Sequence, residues 1–201
     1  MTPAPVRFDA IVLAGGRSSR LGGVAKAGLL LGGRTLLQHA CSALVDADRL
    51  VIVGPDAEPG ALAGAPTIVR EDPPFAGPAA GLVAGFTSWS APHAPWCAVV
   101  ACDMPRVADL LTLLLAEARA EDGQSSLVAL DGGRDQPLAA LYRSADLAAA
   151  IDGVLAHGTA QDLSMRSLLA SVRTRPVPVP PGTTHDVDTW SDARALGVEV
   201  P

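Results

Sequence analysis

The feature of this chain that most constrains its fold is a series of short apolar runs in which hydrophobic residues follow one another instead of alternating with polar ones. The clearest are Phe8 to Leu13 and Trp96 to Ala101, and segments with helical spacing lie between the runs. A strand that is apolar on both sides must be covered on both faces, and strands separated by helices pair in parallel. The sequence therefore predicts an α/β fold: a three-layer α/β/α sandwich around a Rossmann-like, mostly parallel sheet.

The predicted elements follow one another without an internal repeat or a long linker. We expect strands at Phe8 to Leu13, Leu50 to Val53, Thr67 to Val69, Trp96 to Ala101, Ser126 to Leu130 and Pro137 to Tyr142, and a proline-rich edge strand at Val172 to Val179. We expect helices at Thr35 to Val45, Pro78 to Trp89, Asp109 to Ala120, Ser144 to Ala156, Ser164 to Ala170 and Thr189 to Leu196. A chain of 201 residues with this organisation is expected to form a single domain, residues 1–201.

Composition and charge exclude several classes of protein. Hydrophobic residues make up 49% of the chain and charged residues 18%, which predicts an ordered globular protein. The net charge of -6 and the 3% aromatic content provide neither a basic stripe nor stacking platforms for nucleic acid. No apolar run approaches the roughly 20 residues of a membrane span, and the amino terminus lacks a signal-peptide pattern. We therefore expect a cytoplasmic protein that binds neither nucleic acid nor membrane and holds any anionic ligand in a local site.

Cysteine and histidine give no sign of a metal centre or a covalent nucleophile. Cys41, Cys97 and Cys102 have no paired ligand spacing, so we interpret them as small hydrophobic residues. The four histidines are scattered, and nothing in the chain suggests a Ser-His-Asp or Cys-His arrangement. A covalent enzyme intermediate is not indicated.

A glycine-rich segment after the first apolar run, Leu13 to Lys26, carries the strongest functional signal. Its first residues, Leu13 and Ala14, lead into Gly15 and Gly16, which let the backbone turn sharply and present amides to an anion. Lys26 closes the segment and is the only lysine of the chain, since every other strong base is arginine. An ammonium is a compact charge on a flexible stem, which a planar guanidinium does not replace. The segment predicts phosphate binding.

Three further side chains, Arg17, Ser18 and Arg20, add donors to this segment, and Arg20 joins Lys26 as a candidate catalytic residue. The spacing is not that of a Walker A loop, because alanine follows the lysine. It also differs from the dinucleotide fingerprint Gly-x-Gly-x-x-Gly. The segment is therefore interpreted as a phosphate loop of another type.

Asp103 follows the most hydrophobic predicted strand, where a carboxylate has little structural reason to be. It could cap the helix that follows, or it could bind Mg²⁺, a hard cation that offsets charge in phosphoryl transfer. Asp188 is the candidate second metal ligand, with Asp186 nearby. Both could equally cap the helix expected at Thr189.

The loops after the second and third strands and the helix that follows supply further candidate nucleotide contacts. Gly77, Pro78 and Gly81 could let a helix start approach the base or ribose closely. Asp72 could accept hydrogen bonds from base or sugar, or it could be a turn residue before proline. Gly54 would leave any base contact at its position to the backbone.

The chain closely resembles the MobA-like nucleotidyltransferases, the molybdenum-cofactor guanylyltransferase family. Besides the segment Leu13 to Lys26, in which Leu21 takes a methionine position, five elements are similar to family motifs and occur in the same order: Leu31 to Leu37, Gly77 to Leu82, Ala101 to Pro105, Arg134 to Leu138 and Asp186 to Thr189. Related cytidylyltransferases more often open with Leu-Ala-Ala-Gly. They also carry a different motif at the position of Gly77 to Gly81, so the resemblance of Gly15-Gly16 and of Gly77 to Gly81 favours guanine.

The resemblance implies a fold of the nucleotide-diphospho-sugar transferase type and a specific reaction. GMP would pass from GTP to the phosphate of a molybdenum-molybdopterin cofactor, with release of pyrophosphate. It also implies that Asp103 binds Mg²⁺, that Asp72 contacts the nucleotide, and that the first loop with Lys26 holds the triphosphate. Transient contact with proteins that deliver the cofactor or receive it would fit this role.

Some residues depart from the family pattern, and the function has alternatives. Ala25 stands where the family usually has aspartate before the lysine, and Gly28, Leu30 and Gly54 replace other usual residues. A related transferase that uses CTP or another phosphorylated acceptor stays open, as does a non-catalytic nucleotide-binding maturation protein. Arg134, Asp135 and Gln136 are candidate acceptor contacts.

Overall fold

A computed structural model describes residues 5–16, 21–54, 62–63, 65–120 and 124–199. Its strands are β1 (Phe8–Leu13), β2 (Leu30–Leu31), β3 (Arg34–Thr35), β4 (Leu50–Val53), β5 (Thr67–Val69), β6 (Trp96–Ala101), β7 (Ser126–Asp131), β8 (Arg134–Arg143), β9 (Thr174–Pro178) and β10 (Val198–Glu199). Its helices are α1 (Leu36–Ala43), α2 (Pro78–Thr87), α3 (Val107–Ala120), α4 (Ser144–His157), α5 (Met165–Leu168) and α6 (Trp190–Ala195).

The main sheet has the strand order β5-β4-β1-β6-β8-β7-β9 within the described residues. Neighbouring strands pair in parallel except around β8, which runs against both β6 and β7. The predicted mostly parallel sheet is therefore confirmed. The carboxyl ends of β1, β4, β5, β6 and β7 consequently meet at one edge, which is where parallel α/β sheets bind ligands.

Alternate residues of β1 belong to two different hydrophobic layers. Phe8, Ala10 and Val12 pack into a cluster with α1 and α3, whereas Ile11 and Leu13 pack into a second cluster with α2, α4 and α5. A strand buried on both faces requires apolar residues at successive positions. The predicted three-layer sandwich is confirmed, and the continuous apolar runs are its cause.

The proline-rich segment forms an edge strand, as predicted, although it begins later than expected. β9 spans Thr174–Pro178 and lies at one end of the strand order, where among the described strands it pairs with β7 alone. Pro176 and Pro178 lack a backbone donor, and an edge strand loses little by this because one of its sides carries no partner strand.

A second, three-stranded antiparallel sheet, β10-β2-β3, was not predicted from the sequence. It covers a small cluster of Leu21, Leu29, Leu36, Val187, Ala193 and Val198. This sheet fixes the segment after the glycine-rich loop to the region that contains α6. Lys26, which lies in a 3₁₀ turn at Lys26–Gly28 just before β2, is thereby held close to residues 186–188.

An ion pair with a buried carboxylate lies at the amino end of β1, opposite the carboxyl edge of the main sheet. The Asp9 side chain is 1% exposed and accepts hydrogen bonds from Arg49 Nε at 2.9 Å and Arg49 Nη2 at 2.6 Å, and from the Ala94 amide at 2.9 Å. Arg49 also donates to the carbonyls of Ser90 and Pro92. These bonds tie the connection between α2 and β6 to the start of β1.

The three cysteines are buried and free, as their interpretation as small hydrophobic residues predicts. Burial raises the pKa of the Cys41 thiol to about 11, and it raises the pKa of Cys97 and Cys102 further. These thiols are therefore protonated at neutral pH and unreactive. Within the described part of the chain, no helix is both long and apolar enough to cross a membrane.

Candidate active site

A cavity of about 530 Å³ opens at the carboxyl edge of the main sheet. Many of the predicted site residues line it: Leu13, Ala14, Gly15, Gly16, Lys26, Gly77, Pro78, Gly81, Asp103 and Asp188. Separate loops and the start of α2 therefore bring together residues that are far apart in sequence. We call this space the first cavity.

The glycine-rich loop leaves β1 with its first amide bound into the sheet. The Ala14 amide donates to Val53 O at 2.8 Å, and the Cys102 amide donates to Leu13 O at 3.0 Å. The next two amides, of Gly15 and Gly16, donate no hydrogen bond to any described residue. Gly16 has a φ of +155°, which side chains rarely adopt. Two backbone donors are thus available to an anion, and their binding of phosphate stays a prediction.

Gly54 is required by the close approach of two backbones. A Cβ at this position would lie 2.8 Å from both Ala14 C and Gly15 N. The Gly54 amide donates to Val69 O at 3.0 Å and continues the sheet. Gly54 supports the glycine-rich loop from behind and does not line the first cavity. Its predicted contact with the nucleotide stays a prediction.

The start of α2 faces the first cavity, in agreement with the predicted role of its residues. Gly77 is the N-cap with a φ of +96°, and Pro78 follows at the first helical position. A Cβ on Gly81 would lie 3.3 Å from Leu13 Cδ2, so glycine lets the helix pack closely on β1. The amino end of this helix carries a partial positive charge and unsatisfied amides, which favour an anion or a polar base edge.

Lys26 lies between two carboxylates of the first cavity. Its Nζ donates to Asp103 Oδ2 at 2.8 Å and also to Asp188 Oδ1. Burial alone would lower the pKa of Lys26, but the hydrogen bonds and charges of Asp103 and Asp188 outweigh burial and raise that pKa. The ammonium is therefore charged across the physiological range.

Asp186 adds a third carboxylate, and oxygen atoms of Asp103, Asp186 and Asp188 lie within 4.8 Å of one another. Burial raises the pKa of Asp186, and the charges of Asp103 and Asp188 raise it further. Several carboxylate oxygens converging on one point form the donor set that Mg²⁺ prefers. These three residues, which we call the acidic cluster, therefore fit a divalent cation.

Residues other than Asp186 and Asp188 cap helix α6 in the structure. Thr189 is the N-cap of α6, and its side chain and that of Asp192 form a reciprocal capping box. The capping hypothesis for Asp186 and Asp188 is therefore wrong. Helix α3 begins at Val107, and the Asp103 carboxylate contacts Lys26 instead of serving as a cap beside it.

The structure places Glu71 in the first cavity, a residue that the sequence did not single out. The Glu71 side chain is buried, and its Oε1 accepts a hydrogen bond from the Phe75 amide at 2.9 Å. Phe75 also lines the cavity, is 43% exposed and has a left-handed φ of +64°. Asp72 is exposed and lies outside the lining, so its predicted nucleotide contact stays a prediction.

A second cavity of about 460 Å³ adjoins the first. Ala101, Leu138 and Asp186 line both cavities, so one member of the acidic cluster lies where they meet, whereas the other two members line the first cavity alone. Arg134 and Gln136, the candidate acceptor contacts, line this second cavity together with His185. Asp135 does not. The two cavities are thus neighbouring spaces that share the side chain of Asp186.

The remaining candidates, Arg17, Ser18 and Arg20, lie outside the described residues. Their roles in phosphate binding and catalysis stay predictions.

Comparison with known proteins agrees with this geometry. The family profile described as the MobA-like NTP transferase domain matches residues 10–176. The chain is 32% identical over 142 residues to the molybdenum cofactor guanylyltransferase of Shewanella loihica, covering 69% of this chain and 70% of the relative. It is 35% identical over 145 residues to the protein of the same name from Rhodopseudomonas palustris, covering 70% of this chain and 66% of the relative. About a third of each relative therefore lies outside the alignment.

Solved structures with low sequence identity share the fold. Molybdopterin-guanine dinucleotide biosynthesis protein A from Archaeoglobus fulgidus is 19% identical with a TM-score of 0.64, and the match covers 94% of this chain and 96% of the other. The 2-C-methyl-D-erythritol 4-phosphate cytidylyltransferase from Thermus thermophilus is 20% identical with a TM-score of 0.67, covering 94% and 97%. The nucleotidyltransferase type predicted for the fold is confirmed by these similarities.

Proposed function

The chain belongs to the MobA-like NTP transferase family, and on this premise we propose that it transfers GMP from GTP to the phosphate of a molybdopterin-type cofactor. One observation carries the proposal: a single ammonium and three carboxylates line the first cavity, and one of these carboxylates, that of Asp186, also lines the adjoining second cavity. Two adjoining cavities suit a group transfer between two bound substrates, and the charged side chains suit the phosphates that react. Positioning and electrostatics supply most of the catalysis in phosphoryl chemistry.

The triphosphate of GTP would occupy the first cavity beside the glycine-rich loop. The amides of Gly15 and Gly16 would donate to phosphate oxygens, and the charged Nζ of Lys26 would neutralise them. Phosphate oxygens would give Lys26 new acceptors in addition to Asp103 and Asp188. Lys26 is therefore the group that responds to the arrival of substrate.

Glu71 supports guanine as the base in this cavity. Guanine presents a ring N–H and an adjacent amino group, which a carboxylate accepts side by side, whereas cytosine presents an amino group next to a ring acceptor. A buried carboxylate therefore favours GTP over CTP. The Phe75 ring, which is 43% exposed and has the Arg70 guanidinium 5.3 Å from its centroid, adds apolar surface at the rim of the cavity.

Replacing Glu71 with glutamine tests this assignment of the base. The amide keeps the size of the side chain and the acceptor for the Phe75 amide, but it loses one acceptor facing the base. We expect GTP to bind about tenfold more weakly and CTP binding to change little, which calorimetry measures. Equal loss for both nucleotides would contradict the assignment.

The acidic cluster would hold Mg²⁺ through Asp103, Asp186 and Asp188, and the bound ion would offset the charge that develops on the phosphates. An oxygen of the acceptor phosphate in the second cavity attacks the α-phosphorus of GTP. The bond from this phosphorus to the bridging β-oxygen breaks, and pyrophosphate leaves with the electron pair. Lys26 and the loop amides stabilise the leaving charge.

A nucleotide panel tests the function directly. Purified protein with Mg²⁺ is supplied with GTP, CTP or ATP, with and without molybdopterin cofactor, and pyrophosphate release is followed. We expect release only with GTP and cofactor together. Release with CTP would identify a related transferase, and binding of GTP without release would identify a nucleotide-binding maturation protein.

A further inference from the structure

Asp131, the last residue of β7, has an unusual set of partners. Its side chain lies at the carboxyl edge of the sheet and is nearly fully buried. Oδ1 accepts from the Gly182 amide at 3.1 Å, and Oδ2 accepts from the Thr184 amide at 3.0 Å and the Thr184 hydroxyl at 2.9 Å. Both carboxylate oxygens are thus used to hold one turn, residues 182–184.

The ionised form of Asp131 matches this arrangement. Burial by itself would raise its pKa, but the hydrogen bonds from Thr184 and Gly182 outweigh burial and lower the pKa. A carboxylate with donors at both oxygens forms charge-assisted hydrogen bonds, which are stronger than neutral ones. The turn is therefore tied firmly to the end of β7.

The segment that follows this turn runs directly into the active site. His185 and Asp186 line the second cavity, and Asp186 lines the first as well. The Val187 amide then donates to the backbone carbonyl of Asp103 at 3.1 Å. Residues 185 and 186 thus lie between two hydrogen-bonded positions: residue 184 is bound to the Asp131 side chain, and residue 187 is bound to the Asp103 carbonyl. The position of Asp186 in the acidic cluster depends on both.

We propose that Asp131 is a positioning residue that sets the place of Asp186 and His185 at the junction of the two cavities. The proposal deepens the function given above and rests on it for the identity of the reactants. Asp131 lies at the wall of the second cavity itself. It therefore links the shape of that cavity to the geometry of the acidic cluster.

The substitution Asp131→Asn tests whether both carboxylate oxygens are needed as acceptors, because asparagine is polar and similar in size but has only one acceptor oxygen. The amide has the same shape, but its nitrogen cannot accept from a backbone amide, so one of the two anchoring sides is lost. The turn at 182–184 is then held by fewer bonds, and residues 185 and 186 are free to shift.

The first measurement is independent of catalysis. We expect the backbone amide NMR signals of residues 182–188 to shift in the Asp131→Asn protein and their hydrogen exchange to accelerate. Asp9→Asn is the matched control, because Asp9 is also a buried carboxylate that accepts from two donors of a side chain and one backbone amide, but at the other edge of the sheet. The control should leave those signals in place. Unchanged signals in Asp131→Asn would overturn the proposal even if the protein were less stable.

The second measurement tests the functional consequence. In the presence of GTP, the Mn²⁺ concentration for half-saturation, followed by electron paramagnetic resonance, should rise by about tenfold in Asp131→Asn, the range for losing a group that orients a metal ligand. The KM for the cofactor should rise, and the dissociation constant for GTP without metal should stay the same. Thr184→Ser keeps the hydroxyl and should behave as the unaltered protein, whereas Thr184→Val should show a smaller rise. An unchanged Mn²⁺ midpoint would overturn the proposed link to the acidic cluster.

The two proposals fail in different ways. If the unaltered protein bound neither GTP nor Mn²⁺, the proposed function would be wrong, and the NMR comparison would still decide the positioning role. If it transferred GMP normally and Asp131→Asn did the same with the same Mn²⁺ midpoint and NMR signals, only the positioning role would be wrong.

Discussion

Two clusters of charged residues lie at opposite ends of the strands of the same sheet, and they are built differently. At the amino end of β1, one carboxylate, Asp9, meets one guanidinium, Arg49, with an additional backbone donor. At the carboxyl ends of the strands, three carboxylates lie close together, and the single ammonium of Lys26 contacts two of them, Asp103 and Asp188. The first cluster is balanced, whereas the second has an excess of negative charge.

The difference teaches how to distinguish structural ion pairs from functional ones in this molecule. A balanced, fully hydrogen-bonded pair holds two segments together and has nothing left to bind. Burial raises the pKa of Asp186, and the like charges of Asp103 and Asp188 raise it further. Like charges held close together cost stability, and a protein retains them where a ligand compensates. We therefore expect substitutions at the two edges to have opposite signatures in activity and stability.

The largest effect is expected at the acidic cluster. Lys26→Ala or Asp103→Ala should lower GMP transfer by a factor on the order of 10² to 10³, because each removes a charged group from the reacting phosphates. Stability should change little in Asp103→Ala, since one like charge disappears. Initial rates and thermal unfolding of the same preparations check both statements. Near-normal turnover of Asp103→Ala with Mg²⁺ would contradict the assignment of Asp103 as a Mg²⁺ ligand.

The reverse signature is expected for the balanced pair. Asp9→Ala leaves Arg49 without its buried partner and frees the Ala94 amide, which should lower the free energy of unfolding by about 2 to 3 kcal/mol. Turnover per folded molecule should stay the same. Urea unfolding and rate measurements at low temperature test both statements, and a loss of turnover at full folding would break the comparison.

A smaller effect is expected at Gly54, where backbone packing supports the glycine-rich loop. Gly54→Ala would place a Cβ 2.8 Å from backbone atoms of Ala14 and Gly15, so the loop must shift. We expect the KM for GTP to rise about tenfold, because small displacements of binding groups cost catalysis. Gly153→Ala is the control: it lies inside α4 with open space around its Cβ position, and it should raise stability by about 0.5 to 1 kcal/mol without changing KM.

The smallest effect concerns acid stability at the active edge. The pKa of Asp131 is lowered in the folded protein, so its contribution to stability is present above the unfolded pKa of aspartate and is lost as pH falls through the folded pKa. Asp131→Asn should therefore lose stability at neutral pH and show a shallower decline on acidification. Unfolding curves across this acidic range measure the difference, and parallel pH profiles would contradict it.

Most of the fold could be predicted because its signals are local. The continuous apolar runs gave β1, β4, β5 and β6 their observed bounds. Residue pairs such as Ala10 with Leu50 then follow from parallel pairing. The small sheet β10-β2-β3 was missed because strands of two residues carry no periodicity.

The residues of the site could be predicted from the sequence, but the contacts between their side chains could not. Lys26 and Asp103 were expected to act on phosphate and metal, but their direct contact across 77 residues depends on tertiary packing. Glu71 was missed because the sequence does not tell which of two adjacent acidic side chains faces a cavity, and Asp72 matched the family pattern. No periodic signal distinguishes them in a loop.

The contact between Lys26 and Asp188 also has a consequence for the order of events during synthesis. The two residues are 162 positions apart, so at about 5 to 20 residues per second the ribosome needs roughly ten to thirty seconds between them. During this interval the nascent chain already contains Lys26 and the glycine-rich loop, but it does not yet contain the segment that completes the acidic cluster. A partly synthesised chain is therefore an incomplete catalyst, and transfer activity serves as a late reporter of folding.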